Sequence, residues 1–226
     1  MGETNKGISG LKTFSIWTVI KEIYKGKSIQ RAIQNSTIAG YKVDGRVADL
    51  GARDGKSSIY RFIESKDALI DYFDYYGDGE VIRKINLEEK LNIDDKSYDY
   101  TLLIHVLECI YNTDLILSEI KRITKKESLI IIPFFVGYHG QPKDYYRFTH
   151  DALERKLRSA GFSYWEIQPY GYGCFTLAIY ILQKMIRLKI LTSILFLLAV
   201  IIDTMIFLLL NNGRLSIMGY IIKANP

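Results

Sequence analysis

Cysteine is almost missing from this chain of 226 residues: only Cys109 and Cys174 are present, which excludes a disulfide framework and suits a reducing compartment. Histidine is nearly as scarce. His105, His139 and His150 are the three, and none stands at ligand spacing to a cysteine or to paired acids, which argues against a zinc site. There is no basic block either. The net charge of +5 and pI near 9.0 come from scattered Lys and Arg, so nucleic acid is not indicated while a membrane surface stays open. The first apolar cluster, residues 14–20, is short and lacks a small-residue cleavage site, unlike a secretory signal. No internal repeat or low-complexity tract is present, and the default compartment is the cytoplasm.

What is present begins with Val47 to Ser57, V-A-D-L-G-A-R-D-G-K-S, which reads as a strand, a glycine-hinged turn and a helix start. Gly51 and Gly55 permit positive φ and close approach of a ligand. Helix N–H groups would then face that ligand, and Asp49 places a carboxylate at the strand end, where open α/β sheets hold ligands. The run is one residue short of a phosphate loop, G-x-x-x-x-G-K-[ST], and that spacing sets the amide cradle.

Residues 11–40 carry apolar positions at helical spacing and predict an N-terminal cap of one or two amphipathic helices. The spacing predicts a helix opening over 57–62, strands over 68–73, 81–87 and 100–104, an amphipathic helix over 113–123 and a strong strand over 128–134. A helix over 151–160, with Gly161 at its C-terminal stop, and a strand over 164–168 follow. Continuous apolar strands alternating with helices predict an α/β fold with a doubly wound, mostly parallel sheet flanked by helices, its core over 41–173.

Residues 190–210 are apolar except for Thr, Ser and Asp203, long enough to cross hydrocarbon. Lys184, Arg187 and Lys189 precede them, a basic flank of the cytoplasmic kind. Residues 216–223 then read as a last strand. If that strand joins the sheet, the apolar insertion of 174–215 must return to its starting side, as a hairpin at the interface or as a helix packed on the domain. Asp203 is the discordant residue, since an acid in hydrocarbon needs a partner.

From residue 47 to 173 the chain resembles the class I S-adenosylmethionine-dependent methyltransferases, most closely their type-11 branch. V-A-D-L-G-A-R-D-G matches the acidic-glycine loop, Asp74 the position of the ribose-binding acid, Ser97 to Ile110 the "sFD…vLEH" block, and Leu117 to Phe134 the helix and strand of "EI.RvLkpgG.lil..P". His139 to Thr149, H-G-Q-P-K-D-Y-Y-R-F-T, matches the loop after the fifth strand. The resemblance implies a Rossmann-like fold, S-adenosyl-L-methionine as cofactor, and Asp49, Gly51, Arg53, Gly55, Asp74, Asn86, Leu87 and His105 as its contacts. Arg53 stands in the middle of the glycine triplet, Asn86 where relatives often have Asp, Cys109 where His is frequent, and Glu127-Ser128 where paired glycines are common.

Methyl transfer from a sulfonium depends mainly on proximity and alignment, with a base when the acceptor is a hydroxyl. His139, Asp144 and Tyr145 are the candidates for that role, on a glycan or lipid-linked saccharide at the cytoplasmic face of a membrane. Asp144 and Arg147 also suit a loop-fixing ion pair, and Tyr138, Tyr145, Tyr146 and Phe148 suit either a core or sugar stacking. The departures at Arg53, Cys109 and Glu127 leave a non-catalytic, membrane-attached relative as the rival reading.

Overall fold

A computed structural model describes residues 14–53, 55, 57–79, 81–138, 140, 143–186, 188–210 and 216–226. The chain divides into two compact units, one holding residues up to Thr37 with Gln168–Met218, the other Ile38–Ile167 with Gly219–Pro226.

The larger unit carries most of a seven-stranded sheet. Its strands are β2 (Gly45–Leu50), β4 (Ala68–Asp74), β5 (Ile82–Lys84), β6 (Tyr98–Ile104), β7 (Thr124–Pro133), β8 (Tyr164–Tyr172) and β9 (Ser216–Asn225), and they lie in the order β5-β4-β2-β6-β7-β9-β8. β1 (Tyr41–Lys42) and β3 (Ile63–Glu64) make a separate parallel pair. β2 pairs in parallel with both β4 and β6, and β6 with β7, while β9 enters antiparallel beside β7. Runs such as Leu129–Ile132, all four fully buried, explain why this sheet needs cover on both faces.

Two helices of this unit are amphipathic as expected. Helix α3 (Thr113–Ile123) starts at Asn112, whose side chain accepts the Leu115 N–H, and buries Ile116, Leu117, Ile120 and Ile123. Helix α4 (His150–Ser159) is capped by Thr149 and buries Leu153 and Leu157. Gly161, at φ 79° just past its end, provides the left-handed stop.

Two expectations are corrected here. Residues 57–62 do not open an α-helix but make one 3-10 turn, Ser58–Arg61, before β3. The aromatic and β-branched run Ile59, Tyr60, Phe62, Ile63 favours extended chain, and Ile63 and Glu64 find strand partners in β1. The expected strand over 81–87 shrinks to Ile82–Lys84, an edge strand that meets β4 only at Tyr72, Phe73 and Asp74.

The smaller unit is helical: α1 (Ile16–Tyr24), α2 (Ile29–Ile38), α5 (Cys174–Leu182) and α6 (Lys189–Leu210). Gln183 joins two of these helices, since its Oε1 accepts the Ile29 N–H at 2.8 Å and its Nε2 donates to the Lys27 carbonyl at 3.3 Å. Helix α6 is long and apolar enough to cross a membrane by length and composition.

Candidate functional site

Where β2 leaves the sheet, the chain order reverses: β4 lies on one side of it and β6 on the other. At such a point the carboxyl ends of the strands diverge and leave a crevice for a ligand. Of the residues expected from the sequence, Asp49, Gly51, Arg53 and Asp74 lie at this edge.

Asp49, next to last in β2, is 2% exposed, and the Tyr60 hydroxyl of the 3-10 turn donates to its Oδ2. Burial pushes the Asp49 carboxyl up to about 7; the Tyr60 hydrogen bond opposes that rise and the nearby Asp74 charge adds to it. The Gly51 and Ala52 N–H groups both donate to the Phe73 carbonyl, at 2.8 and 2.9 Å. Gly51 sits at φ 83°, and a Cβ there would fall 2.4 Å from Val106 Cγ2. The turn is therefore packed against the loop after β6, and only glycine fits. Gly55 differs: a Cβ would meet the Tyr72 ring at 3.8 Å, ordinary contact, so its φ of 65° alone asks for glycine.

Arg53 is the unusual member, a non-glycine residue at φ 55° with an exposed side chain. This left-handed backbone, which costs roughly 1–2 kcal/mol in an L-residue, turns its N–H onto Asp74 Oδ2 at 2.8 Å, while Asp74 Oδ1 accepts the Tyr76 N–H at 3.0 Å. Asp74 thus ties the glycine turn to the exit of β4. Each of its oxygens has a second acceptor direction for a ligand hydroxyl.

Asn86 follows β5 with its side chain engaged locally, donating to Glu89 Oε1 at 2.6 Å and accepting the Glu88 N–H at 3.1 Å. Leu87 beside it is half-buried. The Glu88 carboxylate accepts the Tyr111 and Asn112 N–H groups at 2.7 and 3.0 Å, which binds this loop to the start of α3. His105, just past β6, is also left-handed at φ 57°; its N–H donates to the Ile131 carbonyl at 2.7 Å and its Nδ1 lies 3.8 Å from Glu108 Oε1. Cys109 is held as a neutral thiol, pushed up to about 12 first by burial and then by the Glu108 and Asp144 charges.

His139 lies outside the described residues. Residues 145 and 146 dock on the segment after β6, because the Glu108 carbonyl accepts both the Tyr145 and Tyr146 N–H groups, at 2.9 and 3.2 Å. Asp144 is paired with Arg147 through two hydrogen bonds of 2.5 and 2.6 Å, its side chain 3% exposed. Tyr145 instead is on the surface with Tyr111, their ring centroids 5.4 Å apart, and the Tyr111 ring stacks on Tyr146 at 6.5 Å. The Tyr146 hydroxyl donates to the Tyr111 carbonyl at 3.0 Å. Sequence reasoning missed Tyr60, Val106 and Tyr111. Tyr60 and Tyr111 have no spacing signal, because turns and a loop bring them into place.

This donor set fits a cationic, ribose-bearing cofactor. A buried acid whose carboxylate is disfavoured by burial gains most from a cationic ligand group, and Asp74 presents open acceptor directions one strand away. Among the described residues no group of three or more His, Cys, Asp or Glu can hold a metal ion.

Residues 45–132 match the family described as Methyltransferase domain. No curated protein matches the chain in sequence. Among solved structures, the complex of the Haloferax volcanii Trm112 methyltransferase activator with a methyltransferase is 14% identical, at TM-score 0.52 over 92% of this chain and 93% of that one. The [4+2]-cyclase SpnF is 15% identical, at TM-score 0.50 over 87% and 81%. A SAM-dependent methyltransferase from Archaeoglobus fulgidus is 18% identical, at TM-score 0.48 over 94% and 95%. At these identities the likeness is one of fold.

Proposed function

We propose an acceptor for a chain that belongs, through residues 45–132, to the class I S-adenosylmethionine-dependent methyltransferases: an oxygen of a glycan or lipid-linked saccharide, methylated at the cytoplasmic face of a membrane. The observation that carries this reading is the tyrosine surface beside the ligand crevice. Tyr111, 67% exposed, and Tyr145, 40% exposed, present ring faces, the Tyr111 N–H held by Glu88 Oε1 and the Tyr145 N–H by the Glu108 carbonyl, and such rings suit the apolar faces of a sugar.

When bound, the cofactor supplies a methyl group already activated on a sulfonium. What this chain's residues contribute is positioning. Asp49 offers its carboxylate to a cationic group, Asp74 accepts from ribose hydroxyls, and the Gly51 turn keeps side chains out of the way. The tyrosine surface orients the acceptor ring, and the Asp144–Arg147 pair keeps the loop that carries Tyr145 in place. Rate enhancement then comes chiefly from alignment.

The test combines two measurements. Calorimetry with S-adenosylhomocysteine on wild type and Asp74→Ala checks the cofactor site: wild type should bind and the variant should bind at least about tenfold more weakly. Incubation of cell-envelope fractions with methyl-labelled cofactor checks the acceptor, and label should enter a saccharide fraction. Label in protein or free small molecules would refute the saccharide. Binding with no transfer to any fraction would favour the non-catalytic reading.

A further inference from the structure

Helix α6 turns its few polar residues inward, beside the buried Phe196, Ala199 and Val200, and its outward face is aliphatic. Thr192, Ser193 and Asp203 are buried, while Ile194, Leu198, Ile201, Met205 and Leu208 form an exposed stripe at spacings of three and four. A helix packed on a protein in water does the opposite. The inward hydroxyls are satisfied, Thr192 by the Leu188 carbonyl at 3.1 Å and Ser193 by the Lys189 carbonyl at 2.9 Å.

Asp203 has a defined task. Its carboxylate accepts the Phe175 N–H at 3.0 Å, the Thr176 N–H at 2.8 Å and the Thr176 hydroxyl at 2.7 Å. These are the first N–H groups of α5, whose own cap residue is Gly173 and offers no side chain. A Cβ at Gly173 would lie 2.1 Å from Asp203 Cγ, so the glycine makes room for the acid. One helix therefore caps another, and α5 and α6 form a latched hairpin.

The charges of this unit are equally one-sided. Among its described residues the only acids are Glu22 and Asp203, both buried, whereas Lys21, Lys25, Lys184 and Lys189 are exposed. Trp17, 75% exposed, and Tyr24 stand on α1 beside these lysines, an arrangement suited to the headgroup level.

We propose that the α5–α6 hairpin lies flat in one leaflet of an anionic bilayer, with the aliphatic stripe of α6 in the acyl boundary and the lysines among the headgroups. A second copy of this chain is a poorer occupant, since two such surfaces bring like charges together. Helix α6 is long enough to cross by itself, but a crossing would carry Asp203 and the α5 N-terminus it caps to about 21 Å from Lys189, inside the ~30 Å hydrocarbon layer, where an acid is costly. Entry tip-first would put Lys184 and Lys189 in hydrocarbon, where cations are costly. The proposal gives the membrane of the proposed function a mode of attachment, and it stands or falls separately from methyl transfer.

Flotation of the full-length protein with vesicles of phosphatidylcholine plus phosphatidylglycerol is the test, with pure phosphatidylcholine as comparison. The protein should float with the anionic vesicles, more weakly with the neutral ones, and less as salt rises. The triple variant Ile194→Glu, Ile201→Glu and Leu208→Glu should bind anionic vesicles about a hundredfold more weakly, with S-adenosylhomocysteine affinity unchanged. Nitroxides at Ile194→Cys and Leu208→Cys, with Cys109 and Cys174 replaced by Ala, should report equal, shallow depth. Failure to float, salt-independent dimerisation in place of lipid binding, or a deep label at one end with a shallow one at the other would overturn it.

Discussion

Lowering the pH should weaken cofactor binding through Asp49, and the size of the effect follows from its burial. The carboxyl is pushed up to about 7, mainly by burial, with the Asp74 charge adding to the rise and the Tyr60 hydrogen bond opposing it. If a cationic group of the cofactor binds the ionised form, the binding-competent fraction falls below that pH. Affinity for S-adenosylhomocysteine should then be about tenfold weaker at pH 6 than at pH 8, with proton release on binding near neutrality. The free protein carries the opposite signature. A carboxyl whose folded pKa lies above its unfolded value binds more protons when folded, so stability is highest at low pH and declines as pH rises from about 4 to about 7. The upper bound on that decline is on the order of 4 kcal/mol, from roughly three pH units at 1.36 kcal/mol each. Calorimetry at both pH values, in buffers of different ionisation enthalpy, checks the first effect, and urea unfolding of wild type and Asp49→Asn checks the second. Equal affinities at pH 6 and 8, together with parallel stability curves for the two proteins, would mean that Asp49 neither titrates near neutrality nor meets the cofactor's cationic group.

Tyr60→Phe removes the bond that holds the Asp49 carboxyl down, so the midpoint of the binding pH profile should move upward; a calorimetric pH series reads it. Arg53→Gly relieves a left-handed residue while keeping the N–H on Asp74, and should raise stability by about 1 kcal/mol in urea unfolding. Gly51→Ala should instead destabilise by about 1–3 kcal/mol, because a Cβ there meets Val106 at 2.4 Å. Tyr111→Ala should raise the KM for the acceptor several-fold and leave cofactor affinity alone, which steady-state kinetics against calorimetry would separate.

Much of the architecture was legible because burial writes itself into periodicity. The 128–134 run and the 113–123 pattern mark β7 and α3 directly, Asp49 and Gly51 fall at the carboxyl edge their spacing implied, and Asp74, which the family resemblance singled out, ends β4. The 57–62 helix was misread because Ile63 and Glu64 pair with β1, a contact that no local pattern encodes. Tyr60 is illegible for the same reason: a turn folds its hydroxyl back onto an acid eleven residues earlier. Asp203 was visible as an anomaly but not as a cap, since its donors lie 27 and 28 residues before it. The Asp144–Arg147 pair was legible at i, i+3 spacing, whereas the docking of its loop on the Glu108 carbonyl was not.

The order of the strands also sets a sequence of events in the making of this protein. β9 is the last strand in the chain, yet it lies between β7 and β8, so the sheet cannot close until Ser216–Asn225 has been synthesised. Until that moment β7, with Leu129–Ile132 at its centre, has an unpaired edge, and an unpaired apolar edge invites association with other chains. The α6 helix emerges before β9 does. A growing chain therefore presents the exposed aliphatic stripe of α6 while its sheet is still open, and the bilayer attachment proposed above would, by capturing that stripe, hold nascent molecules apart until β9 is inserted.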